Sequence, residues 1–521
     1  MLKNFLLTSL SLMAFNSFGA RIQILHTNDT HAYLDRSTHQ INRGGSARLK
    51  ALMDYYSDHA QKSGIKTFRV DAGDFSEGNM YYLANRARSV FQIHGNEMGY
   101  DVGILGNHDF LMGTSELNDI LTDVPMQMNL ITANIKVPYR FKSIRQNLGA
   151  FAEYEVDGVK IAFLGLTTNE IFYKWRLYQG DITNPKKEAK RVEQVLKDRG
   201  NDFIFAVTHI GLLRDMELAK DTKYIDAIVG GHSHTALFET KVVKNKLKRD
   251  VPIVQAGKHM EYLGRLVVDI EKGKPLKVVS YELVPVKYEM EDEEVARSVA
   301  EADDDLHSQY GEEWLNQVVG KSDLKPGDNK GSKKWASFIA DTMREVSGAD
   351  VAIQISSMNG ENFPVGEVTR RDLYNSIPRT FDLDEKYGWS VYTTEVKGYW
   401  IKVIFEVLMK FGQPLNFSGV EMKTIKTPLG LKVKDVTING KLVRPFKNYK
   451  VAFTEGIVRG ALGIGKITLS ILQKPKKTPH LIWESLEKRL DDKNVRLDAI
   501  DVDRNKTFFN PDEYVDLASE E

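Results

Sequence analysis

The apolar positions of the first half fall into five short runs, at residues 22–25, 67–70, 102–105, 203–207 and 227–229. Runs of that length, rich in Val, Ile and Phe, predict buried strands. Between them the period changes. Residues 45–63 and 184–199 carry apolar side chains at helical spacing, and the second stretch is charged enough to be predicted to face solvent. Strands alternating with helices from residue 21 to about residue 286 predict a layered α/β domain. Residues 289–317 are acidic, lack proline and hold one glycine, Gly311, which predicts a long exposed helix joining two halves. The pattern resumes near Val318. Residues 335–346, 399–411 and 481–490 predict helices, and residues 350–355 a strand. Within residues 433–443, Ile438-Asn439-Gly440-Lys441 predicts a hairpin turn.

A chain of 521 residues exceeds what one core accommodates, so two domains are expected. Lysine plus arginine, at 71, equals aspartate plus glutamate, at 71. A formal net charge of zero argues against a nucleic-acid polymer or an anionic membrane as partner, since both attract a basic surplus. The first twenty residues follow the pattern of a secretory signal. Lys3 is followed by an apolar stretch at residues 5–15, too short to span a bilayer, and Ser17-Phe18-Gly19-Ala20 offers small residues for cleavage. No later run reaches transmembrane length. With no cysteine the chain has neither disulfides nor a lipid-anchored cysteine. Export without disulfides predicts a soluble protein of a bacterial periplasm, where a large core makes staples unnecessary.

Each apolar run leads into a polar patch. These are Asn28-Asp29-Thr30-His31, Gly73-Asp74, Gly106-Asn107-His108-Asp109, Thr208-His209 and Gly230-Gly231-His232-Ser233-His234. Taken singly, a Gly-Asp pair is more often a turn, and a strand-end histidine more often a satisfied core residue. Five in series read differently, because the ends of strands are where open sheets gather their sites. Two divalent ions about 3.5–4 Å apart need a shared carboxylate, with imidazoles and carbonyl oxygens completing each shell. Asp74 suits the bridge. Asp29 and His31, two apart on an extended segment, are expected to point the same way and clamp one ion, with His234 returning to it. Asn107, His209 and His232 are expected to hold the second. Such a pair lowers the pKa of a held water from about 15.7 to about 7, so that a metal-activated hydroxide attacks phosphorus. Zinc, manganese, iron and cobalt all accept this donor set. His26, His39, His59, His94, His259, His307 and His480 are read as structural or exposed.

Further matches accompany these motifs: Ile24-Leu25-His26-Thr27-Asn28-Asp29, Gly44-Gly45-Ser46-Ala47-Arg48-Leu49, Gly165-Leu166-Thr167-Thr168, and Val254-Gln255-Ala256-Gly257 followed by Leu263-Gly264-Arg265. Together they resemble the 5′-nucleotidase family of the calcineurin-like metallophosphoesterases, strongly over residues 21–290 and thinly afterwards. The resemblance implies an α/β, four-layer metallophosphoesterase sandwich, joined by a long helix to a smaller α+β C-terminal domain. It implies boundaries at 1–20 for the signal, 21–290 for the catalytic domain, 291–319 for the linker helix and 320–521 for the C-terminal domain. Asp29, His31, Asp74 and His234 would hold the first metal, and Asn107, His209 and His232 the second, with Asp74 bridging. His108 stands where the family has its catalytic histidine. The family commonly carries an aspartate three residues further on, orienting the ring; here that residue is Leu111. If the missing partner limits the enzyme, Leu111→Asp is expected to raise activity. Asp109 is read as a loop-holding residue outside that position.

In the second half, Asp350-Val351-Ala352-Ile353-Gln354, Gly366-Glu367-Val368-Thr369 and Phe417-Ser418-Gly419-Val420 echo the family's framework. Its substrate-grasping motifs do not follow. Asn-Gly-Gly-Ile-Arg stands here as Met358-Asn359-Gly360-Glu361-Asn362, and Pro-Phe-x-Asn as Pro378-Arg379-Thr380-Phe381. Gly-Gly-Asp-Gly-Tyr is replaced by Gly460-Ala461-Leu462-Gly463-Ile464-Gly465. Arg370, Arg371 and Arg379 are candidates for the lost arginine, and Phe363 and Phe381 for a stacking face; Arg379 and Phe381 are the substrate-binding assignment. Asp501, Asp503 and Asn505 open like a calcium loop, but Lys506 and Asp512 stand where glycine and glutamate are needed, so an acidic surface turn is expected.

The expected function is a metal-dependent phosphoric ester hydrolase acting on a small, nucleotide-like phosphate ester, as 5′-nucleotidases and 2′,3′-cyclic phosphodiesterases do. Two alternatives remain. A thiohydrolase of sulfur compounds would alter the residues around Asn107-His108. A catalytically weak or inactive periplasmic binding protein is favoured by Leu111 and opposed by the complete ligand set.

Overall fold

The computed structural model describes residues 19–35, 43–287, 290–322, 329–355, 358–360, 365–410, 415–427, 430–463 and 474–491. Residues 1–18 of the signal expected at 1–20, His39, Glu361-Asn362-Phe363, Ile464-Gly465 and residues 501–512, where an acidic turn is expected, lie outside the described residues, while Gly19 and Ala20 open the first strand.

Alternation in the apolar runs sorts their side chains to opposite faces. In the strand Phe203–His209, Phe203, Phe205 and Val207 enter one core while Ile204 and Ala206 enter another. The first of these cores lies between two sheets: Ile22, Ile24, Phe68 and Val70 from one meet Phe163, Phe205 and Val229 from the other. One sheet has seven strands, in the order Lys277–Pro285, Tyr262–Glu271, Gly19–Thr27, Lys66–Asp71, Val102–Gly103, Asn129–Ile131 and Leu148–Gly149. The other has six, in the order Lys241–Lys244, Asp250–Val254, Ala227–Gly230, Phe203–His209, Val159–Thr167 and Phe151–Val156. Helices Ser46–Lys62 and Thr114–Asp123 cover the outer face of the first sheet. Helices Pro185–Asp198 and Leu212–Asp221 cover that of the second. The expected four layers are therefore present.

The central strands run parallel: Gly19–Thr27, Lys66–Asp71, Val102–Gly103 and Asn129–Ile131 in one sheet, Val159–Thr167, Phe203–His209 and Ala227–Gly230 in the other. Their C-terminal ends share one edge, and the polar patches all leave from it.

The acidic connector differs from the single exposed helix expected. Helix Glu293–Tyr310 ends at Gly311, whose φ of 91° breaks the helix, and a short helix Glu312–Asn316 follows. Val295, Ala302 and Leu306 bury one face at helical spacing, so the charge belongs only to the other.

The second domain holds a five-stranded mixed sheet in the order Leu415–Ser418, Val351–Ile355, Asn448–Thr454, Ser390–Lys397 and Lys476–Leu481. Helix Asn329–Ser347 packs on one face through Trp335, Phe338, Ile339 and Met343. Helix Gly398–Lys410 lies on the other, with the antiparallel strands Val420–Thr427, Gly430–Ile438 and Lys441–Leu442. The predicted hairpin turn is there: Ile438 pairs with Lys441 across Asn439 and Gly440, whose φ angles of 51° and 72° fit the tight turn favoured by right-twisted strands.

Candidate metal centre

Every predicted ligand lies at or just beyond a strand end, and the loops bearing them are tightly turned. Asp29, His31, Asp74, His232 and His234 all have positive φ, between 51° and 78°. Left-handed backbone at non-glycine residues costs of order 1–3 kcal/mol each and persists only where the surroundings over-determine it. The constraint is visible here. The amide of Asp29 donates to the Gly73 carbonyl at 2.8 Å, that of His31 to Asp74 O at 2.9 Å, and that of His232 to Asp29 Oδ2 at 2.9 Å. The expected extended geometry at Asp29 and His31 is thus replaced by a turn with φ of 52° and 51°. The two side chains are brought together by local coiling rather than by strand alternation.

Glycines let the loops touch. A Cβ on Gly106 would sit 2.2 Å from Asp74 Oδ1, and one on Gly73 would sit 2.6 Å from Gly106 N. Asp109 ties the same loops together. Its buried carboxylate accepts four backbone N–H groups, from Asp74, Phe75, Ser76 and Gly106, at 2.8–2.9 Å. The side chain next to His108 is therefore a loop clamp.

Within this frame the donor atoms converge. Asp29, His31 and His234 form one set, Asp74, His209 and His232 a second, and His31, Asp74 and His108 a third, each with ligand atoms within 4.8 Å of one another. Asp74 belongs to two of them. Its Oδ2 lies 2.9 Å from His209 Nε2, 4.0 Å from His31 Nε2 and 3.9 Å from His108 Nε2. His234 Nε2 lies 3.3 Å from Asp29 Oδ1 and 3.1 Å from His31 Nε2. Two imidazole nitrogens facing each other at that distance beside a carboxylate suit a shared cation.

Carbonyl partners fix which nitrogens face inward. His31 Nδ1 donates to Glu77 O at 2.6 Å and His209 Nδ1 to Ala72 O at 2.7 Å. A carbonyl only accepts, so each Nδ1 carries hydrogen and each Nε2 turns to the centre. The carboxylates are ionised. Against burial, which raises it, His209 and His108 hold Asp74 well below the usual carboxylate range. Against the same burial, His234 and His209 bring Asp29 down to about 2.

The polar atoms left over test whether a metal fits. Asn107 is 1% exposed, and neither its Oδ1 nor its Nδ2 has a hydrogen-bond partner. A buried polar group without a partner costs about 1–3 kcal/mol. Orphaned lone pairs beside ionised carboxylates are what a divalent cation coordinates, so the residues present fit the group.

His108 stands at the rim of this centre with Nε2 facing Asp74, and its Nδ1 lies 2.5 Å from Glu77 Oε2. Although burial lowers its pKa, Asp74 and Glu77 hold it above the ordinary imidazole value. Glu77 is 1% exposed, three residues beyond Asp74, and sequence reading missed it. Its signal was a lone acidic residue in the loop that also carries the bridging ligand. Leu111 is in the core, with its carbonyl accepting from Arg176 Nε. Tyr173 was also missed; its ring lies 6.0 Å from that of His108 and 6.2 Å from that of His232.

The two assigned substrate residues take different places. Arg379 reaches the centre, with Nη1 on Glu77 Oε2 and Nε donating to Met358 O at 2.9 Å. Phe381 is buried between the guanidiniums of Arg176 and Arg459, 5.2 and 5.4 Å from its ring, and against Trp389. Arg370 pairs with Glu487 and Arg371 with Asp303.

Comparison with known proteins agrees with this geometry. Residues 22–236 match the calcineurin-like phosphoesterase family model, and residues 318–468 match that of the 5′-nucleotidase C-terminal domain. The chain is 27% identical over 505 residues to the 5′-nucleotidase of Vibrio vulnificus, with 86% of each chain covered. It is 26% identical over 425 residues to the trifunctional nucleotide phosphoesterase YfkN of Bacillus subtilis, spanning 74% of this chain and 27% of that longer protein. The crystal structure of the 5′-nucleotidase precursor from Thermus thermophilus superposes with a TM-score of 0.76 at 22% identity, covering 90% of this chain and 96% of that one. Two matched domains in this order, with a donor set centred on Asp74, place the chain in the 5′-nucleotidase family of the calcineurin-like phosphoesterases, as a metal-dependent phosphoester hydrolase.

Proposed function

We propose that the protein hydrolyses small phosphate esters, nucleotides and 2′,3′-cyclic nucleotides among them, at a centre of two divalent ions drawn from zinc, manganese, iron or cobalt. The observation that carries this is Asp74, shared between donor sets beside the orphaned Asn107 amide. Asp29, His31, Asp74 and His234 would hold one ion, and Asp74, Asn107, His209 and His232 the other. When bound, such a pair supplies Lewis acidity at the phosphoryl oxygens and a water acidified to near-neutral pKa.

The chain's own part is positional. His108, whose Nε2 faces the centre, is placed to give the Nε2 proton to the leaving oxygen as the phosphorus–oxygen bond breaks and an oxygen–hydrogen bond forms. Tyr173 stands at the same rim, its ring near those of both His108 and His232. The nucleoside-grasping residues of the family have no counterpart at the matching positions, so turnover of ordinary 5′-nucleotides is expected to be broad and modest. The donor set around Asn107-His108 is complete, which favours phosphate over sulfur substrates and turnover over mere binding.

We further propose an exported, periplasmic enzyme. The pattern of residues 1–20 and the lack of cysteine support it, and no helix of the described residues is long and apolar enough to cross a membrane. The test is phosphatase assay of the metal-stripped protein reconstituted with Mn²⁺, Zn²⁺ or Co²⁺, against an aryl phosphate, nucleotides and cyclic nucleotides. Asp74→Asn, which removes the shared negative charge, should lower metal occupancy and rate together. Full activity in the stripped protein, or in that variant, overturns the reading.

A further inference from the structure

The proton-transfer role proposed for His108 needs a ring held in one tautomer and one orientation, and the position three residues on supplies no group to do it. Leu111 is 5% exposed and packs into the core. The partner comes instead from another loop. Glu77 follows Asp74 by three residues, and its Oε2 lies 2.5 Å from His108 Nδ1. A carboxylate on Nδ1 keeps hydrogen on that nitrogen and leaves Nε2, which faces Asp74 at 3.9 Å, for the reaction.

A simpler account is that Glu77 only ties the domains together through Arg379. The geometry speaks against it. A guanidinium paired with a carboxylate for strength alone favours the two-pronged arrangement that uses both oxygens. Here Arg379 Nη1 and His108 Nδ1 converge on the same oxygen, Oε2, while Oε1 has no partner. The carboxylate is oriented toward the histidine, and the arginine holds it there. The backbone agrees: Glu77 O accepts from His31 Nδ1 at 2.6 Å, so one residue fixes a predicted metal ligand through its carbonyl and His108 through its side chain.

Arg379 belongs to the second domain, and the segment before it is docked on the loop that carries Glu77. Asn375 Oδ1 accepts from Met80 N at 3.0 Å. Arg371 meets Asp303 of the connector at 2.6 Å, and Tyr81 OH meets the same carboxylate at 3.2 Å.

We infer that Glu77 is the positioning residue of His108, and that Arg379 completes it across the domain boundary, so that docking of the second domain sets the geometry of the proton-transfer histidine in the first. This rests on the role proposed for His108. It also assigns Arg379 to the chemistry of the first domain rather than to the grip on the substrate.

The experiment is a set of mutant cycles on the full chain, read by kcat and KM for an aryl phosphate and by bound metal per chain. Glu77→Ala should lower kcat by about 10–100-fold, as loss of a group that orients a functional histidine does, with metal content and KM unchanged. Glu77→Gln, nearly the same shape and still a hydrogen-bond acceptor, should fall between it and the parent, and it keeps the test intact if the alanine variant fails to fold. The two losses should not add: in a His108→Ala background, Glu77→Gln should cost nothing further, because it acts through that ring. Arg379→Met should lower kcat rather than raise KM, and its effect should vanish in the Glu77→Gln background. Additive losses in either cycle, depletion of metal in Glu77→Gln, or a KM effect at Arg379 overturns the inference. The underlying reading fails separately. If His108→Ala keeps full kcat, His108 has no role in the chemistry; if His108→Ala is slow while Glu77→Ala is normal, only the positioning role is lost.

Discussion

Replacing Asn107 by leucine should make the metal-free protein more stable and the metal-loaded protein less so. In the fold Asn107 is buried with both amide atoms unpartnered. An unsatisfied buried amide costs about 1–3 kcal/mol, and an apolar side chain of similar length removes that cost. For a domain of this size each kcal/mol moves the melting temperature by roughly 2–4 °C, so the stripped Asn107→Leu protein should melt roughly 2–12 °C above the stripped parent. Metal reverses the order. A ligand at a hundred times its Kd stabilises the state it binds by about 2.7 kcal/mol, and the variant gives up most of that for the ion its amide would have held. Scanning calorimetry with and without added Mn²⁺, beside a metal-to-protein ratio, reads both halves. Asn107→Ala cannot overpack the site and checks the sign. A variant that melts lower than the parent after stripping would show that the amide serves the fold, and the case for a ligand there would fail.

The other expectations are shorter. Leu111→Asp should not raise activity, because Glu77 already occupies His108 Nδ1, and it should destabilise the fold by placing a carboxylate in the core; a gain in kcat would show that the Glu77 contact is not used. Stability should fall with acid in part through His26. Burial brings its pKa down from 6.5 to about 3, and neither ring nitrogen has a partner. The folded state resists a proton that the unfolded chain accepts, so stability is full above about pH 6.5 and declines by up to roughly 1.4 kcal/mol per pH unit towards pH 3. His26→Phe, which keeps the stacking on Tyr281, should flatten that decline in denaturant titrations, and an unchanged slope would refute the assignment.

How much of the centre could be read from the chain depends on how each residue reaches it. Asp74, Asn107, His209 and His232 were legible because each follows an apolar run closely, and parallel strands deliver their ends to one edge whatever the loops do. The layered fold was legible for the same reason: period two in the strands and helical spacing between them fix which faces are covered. What sequence could not supply was direction within the loops. Asp29 and His31 suggested an extended clamp, yet five left-handed residues bend the loops back on themselves, and a backbone held by its neighbours leaves no local pattern. The connector failed similarly, since its acidic run hid the apolar face of Val295, Ala302 and Leu306.

The partner of His108 is the instructive miss. Sequence spacing points three residues along the chain, to Leu111, where a carboxylate would be a neighbour in sequence. The need itself is spatial: an acceptor within hydrogen-bond reach of Nδ1, shielded from water, on a backbone that does not move. The loop after Asp74 already meets the last two conditions. Asp109 clamps its amides, Gly78 turns against the ring of His31, where an added Cβ would lie 2.7 Å from His31 Cβ, and the loop carries the shared ligand. Any acidic side chain placed on it at the right reach inherits that rigidity. A missing functional group is therefore better sought among the loops that the remaining ligands have already fixed than at the position where it was lost. In this chain that rule leads to Glu77, and through the oxygen it shares with His108 to Arg379 of the second domain.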